Sequence, residues 1–346
     1  MVVRFQESPL PAEKDALIRL VKNVVIAQGN VFIKELLRSR GIKIGTTKAE
    51  FETNLIAAVD KGELRREHID TWLNEVEGWG NQHIYLFNVS KTLRRDPIWS
   101  DPEKIASKIK AAGFSREWDS QTSLEYPVSH TLTGISFESG VLRFVWHKGS
   151  ELWVRDKTKD YREEIDGDTY EFRASRMRGD RLVTRFEVRP FDGLAAAFLQ
   201  VAVEEEEHKN ALEKIKTTVG RLWRFDEFEP FAIAKAIKTL DARALNDNTV
   251  TAHSTRLNSG EAYVEFGIQS VESSYQDSTP VRDARRAVRL SSFTGMHGTF
   301  VVPTANGGGG RKVRLQMYGN QRRVKIASQM TAAHVWDVLG LIAASV

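Results

Sequence analysis

The chain contains no cysteine. Disulfides, thiolate nucleophiles, iron–sulfur clusters and every cysteine-containing zinc site are excluded together. Histidine is sparse: the 346 residues hold eight, no two within ten positions of each other, so no helical or hairpin metal pair is encoded locally. No run of about 18 apolar residues free of charge occurs, so no membrane-spanning helix is expected. The opening Met1-Val2-Val3-Arg4-Phe5-Gln6-Glu7-Ser8 lacks a basic region followed by an apolar stretch. A signal peptide is therefore not expected. The expected location is the cytoplasm, on the nucleoid in a prokaryote or in the nucleus in a eukaryote. The motifs G-x-S-x-G and H-E-x-x-H are missing, as is a dinucleotide G-x-G-x-x-G at a strand–helix junction. No cofactor is expected.

What is present describes a folded protein with an uneven charge. Hydrophobic residues make up 41% and charged residues 28%, an ordinary balance for a chain that buries a core. The net charge is +4, yet residues 282–346 hold 10 Lys and Arg against 2 Asp and Glu. An excess of this kind at one end points to a polyanion partner.

Apolar spacing predicts helices over residues 12–28 (Leu17, Leu20, Val21, Val24, Val25) and 30–39 (Phe32, Ile33, Leu36, Leu37). A third, buried through Phe51, Leu55, Ile56 and Val59, can be capped by Thr46 or Thr47 with Glu50 near N3. Two more are expected over 65–77 and 80–93. A sixth is capped by Ser100 or Asp101, has Pro102 at N1 and ends at Gly113. After Tyr126-Pro127 the period changes. Short runs rich in Val, Phe, Trp and Thr at 132–138, 140–147, 150–155, 169–174 and 181–188 predict an antiparallel meander. Residues 190–207 read as helical and end in the acidic run 204–207. Residues 208–245 are helical again. Strands are expected at 249–256, 261–270, 285–293, 298–303, 311–318 and 322–327, and a last helix over 330–344. The expected class is α+β: an all-helical bundle over 1–118, an antiparallel sheet domain with a helix over 124–207, and a C-terminal α+β domain with a basic hairpin over 208–346.

Several basic groups are candidates for phosphate contact. In Arg311-Lys312-Val313-Arg314-Leu315-Gln316-Met317 the period-two alternation places Lys312, Arg314 and Gln316 on one face and Val313, Leu315 and Met317 on the other. The return run Arg322-Arg323-Val324-Lys325-Ile326 places Arg323 and Lys325 together. If the two strands pair, four cations line one side of a hairpin, which suits a phosphate backbone. A second cluster is Arg173, Arg176 and Arg178, with Arg181, Arg185 and Arg189 after it. Trp146, Trp153, Tyr170 and Phe172 could stack on bases if exposed, although alternating strand positions favour the core. Asp180 with Glu187-Val188-Arg189 imitates a divalent-metal nuclease core, but Arg stands where a Lys is needed and cannot readily give up a proton. The glycines at 307–310 before Lys312 do not form a phosphate loop, because the G-x-x-x-x-G-K-[ST] pattern is absent.

The run Leu36-Leu37-Arg38-Ser39-Arg40-Gly41-Ile42, followed by Gly45, Lys48, Phe51, Leu55 and Ile56, resembles the SAP motif, a two-helix DNA-binding element. The resemblance implies that the second helix offers its N-terminus to a phosphate, flanked by Lys43 and Lys48. More widely, residues 16 to about 200 resemble the centromere protein N family of the inner kinetochore. The likeness is carried by Lys48 ahead of Asn54-Leu55-Ile56, by Tyr85-Leu86-Phe87-Asn88-Val89-Ser90-Lys91, by Val141-Leu142-Arg143-Phe144-Val145-Trp146 and by Arg189-Pro190-Phe191-Asp192-Gly193-Leu194. It implies a death-fold-like helical domain joined to a small sheet domain, with a groove that follows DNA. The candidate DNA-facing residues of the helical part are Arg19, Lys22 and Lys48, at positions where that family carries basic residues, together with Arg38, Arg40, Lys43 and Lys91. In the sheet part the candidates are the basic cluster Arg173, Arg176 and Arg178, with Arg189. The expected function is non-enzymatic binding of double-stranded DNA by its backbone. The alternatives are a protein-interaction adaptor, docking through the helical domain or the acidic 204–207 run, and an unrecognised metal-dependent nuclease.

Overall fold

The computed structural model describes residues 11–79, 82–119, 127–200, 205–246, 250–268, 273–289, 293, 295–303 and 312–346. The expected glycine loop at 307–310, together with Arg311 and Glu204, lies outside these residues.

The chain opens with α1 (Pro11–Ala27), α2 (Asn30–Ser39), α3 (Lys48–Asp60) and α4 (Arg66–Val76). α2 buries Phe32, Ile33, Leu36 and Leu37, one stripe of a helix. It stops where Gly41 adopts φ +64°, a left-handed conformation that favours glycine. The hydroxyl of Thr47 caps α3 by accepting from the Glu50 N–H at 3.2 Å.

Next come β1 (Gln82–Val89), α5 (Lys91–Arg94) and α6 (Pro102–Ala111). As expected, Asp101 caps α6, accepting from the N–H groups of Glu103 and Lys104 at 3.1 and 3.2 Å. The strands β2 (Thr131–Glu138), β3 (Val141–Arg155), β4 (Tyr161–Ile165), β5 (Asp168–Phe172), β6 (Ser175–Arg189) and β7 (Leu194–Leu199) follow. The rest is α7 (Glu205–Gly220), β8 (Phe228–Pro230), α8 (Ile233–Asn246), β9 (Thr251–Ser259), β10 (Ala262–Gly267), α9 (Thr279–Ala287), β11 (Gly295–Pro303), β12 (Lys312–Tyr318), β13 (Arg323–Ile326) and α10 (Ala332–Ala343). The class is α+β, with N-terminal helices followed by a large antiparallel sheet.

Eleven strands form that sheet in the order β10-β9-β11-β12-β13-β1-β7-β6-β3-β2, with β8 added beside β1; β4 and β5 pair separately. The chain divides into two compact units. One comprises residues 1–77, 122–131 and 147–182: α1 to α4, the C-terminal part of β3, the N-terminal part of β6 and the β4–β5 hairpin. The other comprises residues 78–121, 132–146 and 183–346, with the rest of the large sheet and α5 to α10. In this second unit Phe87, Phe144, Phe186, Ala197 and Leu199 join Ile105 and Ile109 of α6 and Ile215 and Val219 of α7 in one core. α8 packs on β9, β11 and β12. On α10, Trp336 meets Phe198 of β7 edge to face, with ring centroids 5.7 Å apart.

Three expected elements are corrected. Residues 80–93 are not a helix: Gln82–Val89 is a strand between β13 and β7, so the first 118 residues are not all helical. Its neighbours bury it on both faces, and a doubly buried strand loses the alternation that would mark it. Residues 190–207 hold the strand Leu194-Ala195-Ala196-Ala197-Phe198-Leu199, all buried. Here packing at the sheet centre overrides the helix propensity of three alanines. Residues 285–293 do not begin as a strand: Thr279–Ala287 is a helix with Pro280 in its first turn, held by the buried ion pair of Arg285 with Asp241.

Candidate nucleic-acid interface

The site is built by strand register. β12 and β13 pair antiparallel with Gln316 opposite Lys325 and Tyr318 opposite Arg323. β11 pairs with β12 so that His297 faces Tyr318, Thr299 faces Gln316 and Val301 faces Arg314. β9 pairs with β11, with Arg256 opposite His297. Because side chains alternate along a strand, these registers bring Arg256, Arg314, Arg323 and Lys325 onto one face, with Lys312 at its end. Leu257, Met296, Phe300, Val313, Leu315, Met317, Val324 and Ile326 are buried on the other. The alternation read from the hairpin is thus found in the fold.

The sequences of β9, β11, β12 and β13 contain neither Asp nor Glu. The nearest strand carboxylate is Glu265 of β10, opposite Arg256. Three histidines at this face are pushed down, by burial first and by nearby cations second. His297 is pushed down by burial and then by Arg256 and Arg323. His253 is pushed down by burial and by Arg314. His83 of β1, opposite Lys325, is lowered to about 3 by burial, with Arg323, His208 and Lys325 adding to it. Like charges destabilise the protonated ring, and so does loss of water.

Two aromatic rings lie among the cations. The guanidinium of Arg323 sits over Tyr318, 4.6 Å from the ring centroid, and that of Arg256 over Tyr263 at 3.7 Å. Arg256 Nε also donates to Asn258 at 3.2 Å. The Nε of Arg323 and the Nδ1 of His297 are buried without a hydrogen-bond partner.

The other candidate cations are placed differently. Arg19, Lys22, Arg38, Arg40 and Lys43 are exposed on and after α1 and α2, in the first unit. Lys48 Nζ donates to the Gln28 carbonyl at 3.1 Å. The amides expected to await a phosphate at the start of α3 are partly taken within the chain: Thr47 accepts from Glu50 N–H, while the Glu50 carboxylate accepts from the N–H and hydroxyl of Thr46. Those bonds hold Glu50 below the usual carboxylate range. Lys91 is exposed at the start of α5. Arg173 is exposed and lies 3.4 Å from Glu171. The side chains of Arg176, Arg178 and Asp180 lie outside the described residues.

Arg189 is not turned to solvent. It stacks on Trp336 at 4.0 Å and lies 4.0 Å from Glu187 and 3.8 Å from Asp192. Of the candidate stacking aromatics, Trp146 is buried, Phe172 is stacked on Tyr161 with centroids 4.7 Å apart, and Trp153 and Tyr170 are exposed.

Arg256, His297, Tyr318 and Tyr263 were not among the sequence candidates. For Arg256, His297 and Tyr318 the signal is the run of strands without a single carboxylate, whereas Tyr263 stands on β10 two residues from Glu265. Among the described residues no three His, Asp or Glu side chains gather as a metal set. No described helix is long and apolar enough to cross a membrane. In comparison with known proteins, no family model matches the chain and no curated protein matches it.

Proposed function

We propose that this protein binds nucleic acid without cutting it, holding the phosphate backbone on the open basic face of β9, β11, β12 and β13. The observation that carries this reading is the register that places Arg256, Arg314, Arg323 and Lys325 on one face of four strands that contain no Asp or Glu. Cations gathered on one face favour a polyanion, which releases its own counterions on binding. Phosphate contacts of this kind position a nucleic acid without reading its sequence. The exposed cations of α1 to α3 are a second, weaker surface for duplex DNA, because Glu50 already occupies amides at the start of α3. The resemblance of residues 16 to about 200 to the centromere protein N family concerns that second surface, for which it implies DNA.

The test is an electrophoretic shift series on the full chain with duplex DNA, single strands and RNA at several salt concentrations. Affinity is expected to fall steeply with salt, the slope of log K against log salt counting the phosphates held. Salt-independent binding, or none, would refute the reading. An adaptor docking on another protein need not show that slope.

A further inference from the structure

The basic face is broad. Four neighbouring strands, β9, β11, β12 and β13, present it, and at about 4.8 Å per strand step it is roughly 14 Å across from the first strand to the last. The major groove of a duplex is about 12 Å wide and admits a helix or a two-stranded ribbon. A four-stranded face is wider than that groove. A single strand has no such constraint: it can lie across a sheet with its bases turned down onto the surface.

The chemistry of the face agrees with the geometry. Phosphate binding alone requires only cations. Here the cations are interleaved with rings and with neutral hydrogen-bonding groups. Tyr318 lies beside His297, with ring centroids 5.6 Å apart, and under the guanidinium of Arg323. Tyr263 is exposed and lies under Arg256. Gln316 and Thr299 face each other between Arg314 and Tyr318. Aromatic rings and guanidinium planes are the groups on which unpaired bases stack, and a base inside a duplex offers neither face to them.

Resting on the proposed backbone binding, we infer that the ligand of this face is single-stranded nucleic acid, its bases stacked on the Tyr318–Arg323 and Tyr263–Arg256 pairs and its phosphates held by Arg314 and Lys325. The two stacks lie on strands three steps apart, so they engage separate bases of one extended strand.

Fluorescence anisotropy of the full chain tests this with four probes of equal length: oligothymidylate, an abasic strand with the same phosphates, a duplex, and oligouridylate. The oligothymidylate is expected to bind at least about 5-fold more tightly than the abasic strand, since each stacked base contributes that much or more. It is also expected to bind more tightly than the duplex. Tyr263→Ala and Tyr318→Ala should each weaken the oligothymidylate about 5-fold and leave the abasic strand unchanged, with Tyr318→Phe restoring the parent affinity. The oligouridylate arm separates RNA from DNA as the source of the strand. If the duplex or the abasic strand binds as well as oligothymidylate, the stacking inference falls while backbone binding stands. If both tyrosine variants bind as the parent does, the inference falls in the same way. If no probe binds at all, the proposed function falls with it.

Discussion

The indole N–H of Trp336 donates to the carboxylate of Glu187 at 2.9 Å, joining α10 to β6 in the interior. Glu187 is fully buried and also accepts from Arg143 Nε at 2.7 Å. The residue that imitates a nuclease ligand in the sequence is thus engaged as an acceptor inside the fold. Removing it strands an indole donor and a guanidinium. Glu187→Ala is expected to cost about 3 kcal/mol of stability, read as a lowered urea midpoint, and Glu187→Gln less. The parent protein, incubated with plasmid DNA and magnesium or manganese, is expected to leave it intact. Nicking that vanishes in a folded Glu187→Gln protein would revive the nuclease reading.

The four hairpin cations provide a second prediction. Changing Lys312, Arg314, Arg323 and Lys325 together to Ser removes charge while Val313, Leu315, Val324 and Ile326 stay buried. The protein should fold. Its affinity should drop similarly for unrelated sequences, and the salt slope should shrink by up to about 0.7 per lost contact with a single strand, or 0.9 with a duplex. Parental affinity and slope in this variant would make the face an ordinary solvated surface.

Lys48 and Arg314 can be set against each other. Arg314 is exposed on a strand without Asp or Glu, whereas Lys48 bonds the Gln28 carbonyl beside a helix start held by Glu50. Lys48→Glu is expected to weaken binding less than Arg314→Glu, with neither changing the circular dichroism spectrum. The reverse order, measured by titration at one salt concentration, would move the interface to the α2–α3 turn.

Acid should destabilise the protein before its carboxylates are titrated. His83 ionises only near about 3 in the folded chain, against 6.5 when unfolded. Between those values the unfolded chain binds the extra proton, so stability falls as pH drops through that window. Glu77, paired with Arg181 and His147, is held at about 2 against 4.5, so its contribution is lost only below that higher value. The melting temperature is expected to decline between about pH 7 and pH 5, and His83→Phe should flatten the decline. An unchanged slope in that variant would assign the acid sensitivity to other groups.

Much of the local structure was legible in the residues. Phe32, Ile33, Leu36 and Leu37 mark α2 by their spacing, Asp101 and Pro102 mark the start of α6, and Gly113 closes it with φ +86°. The alternation of Lys312 to Met317 and of Arg323 to Ile326 told which side of each strand is charged. These signals are local, set by capping, by helical period and by pleat. The sheet centre was not legible in the same way. Gln82–Val89 and Leu194–Leu199 are buried on both faces, and nothing in a short apolar run says whether a sheet will close around it. Nor does the sequence say that Arg256 stands across from His297, or that Arg323 lies on Tyr318, since pairing between strands far apart along the chain is decided by tertiary packing. The sequence by itself determined the basic, acid-poor character of the C-terminal strands. Only the fold assembled β9, β11, β12 and β13 into one continuous face, because burying the apolar sides of those strands leaves the outward direction for each alternate side chain, and only the fold covered Arg189 and Glu187 of β6 with Trp336 of α10.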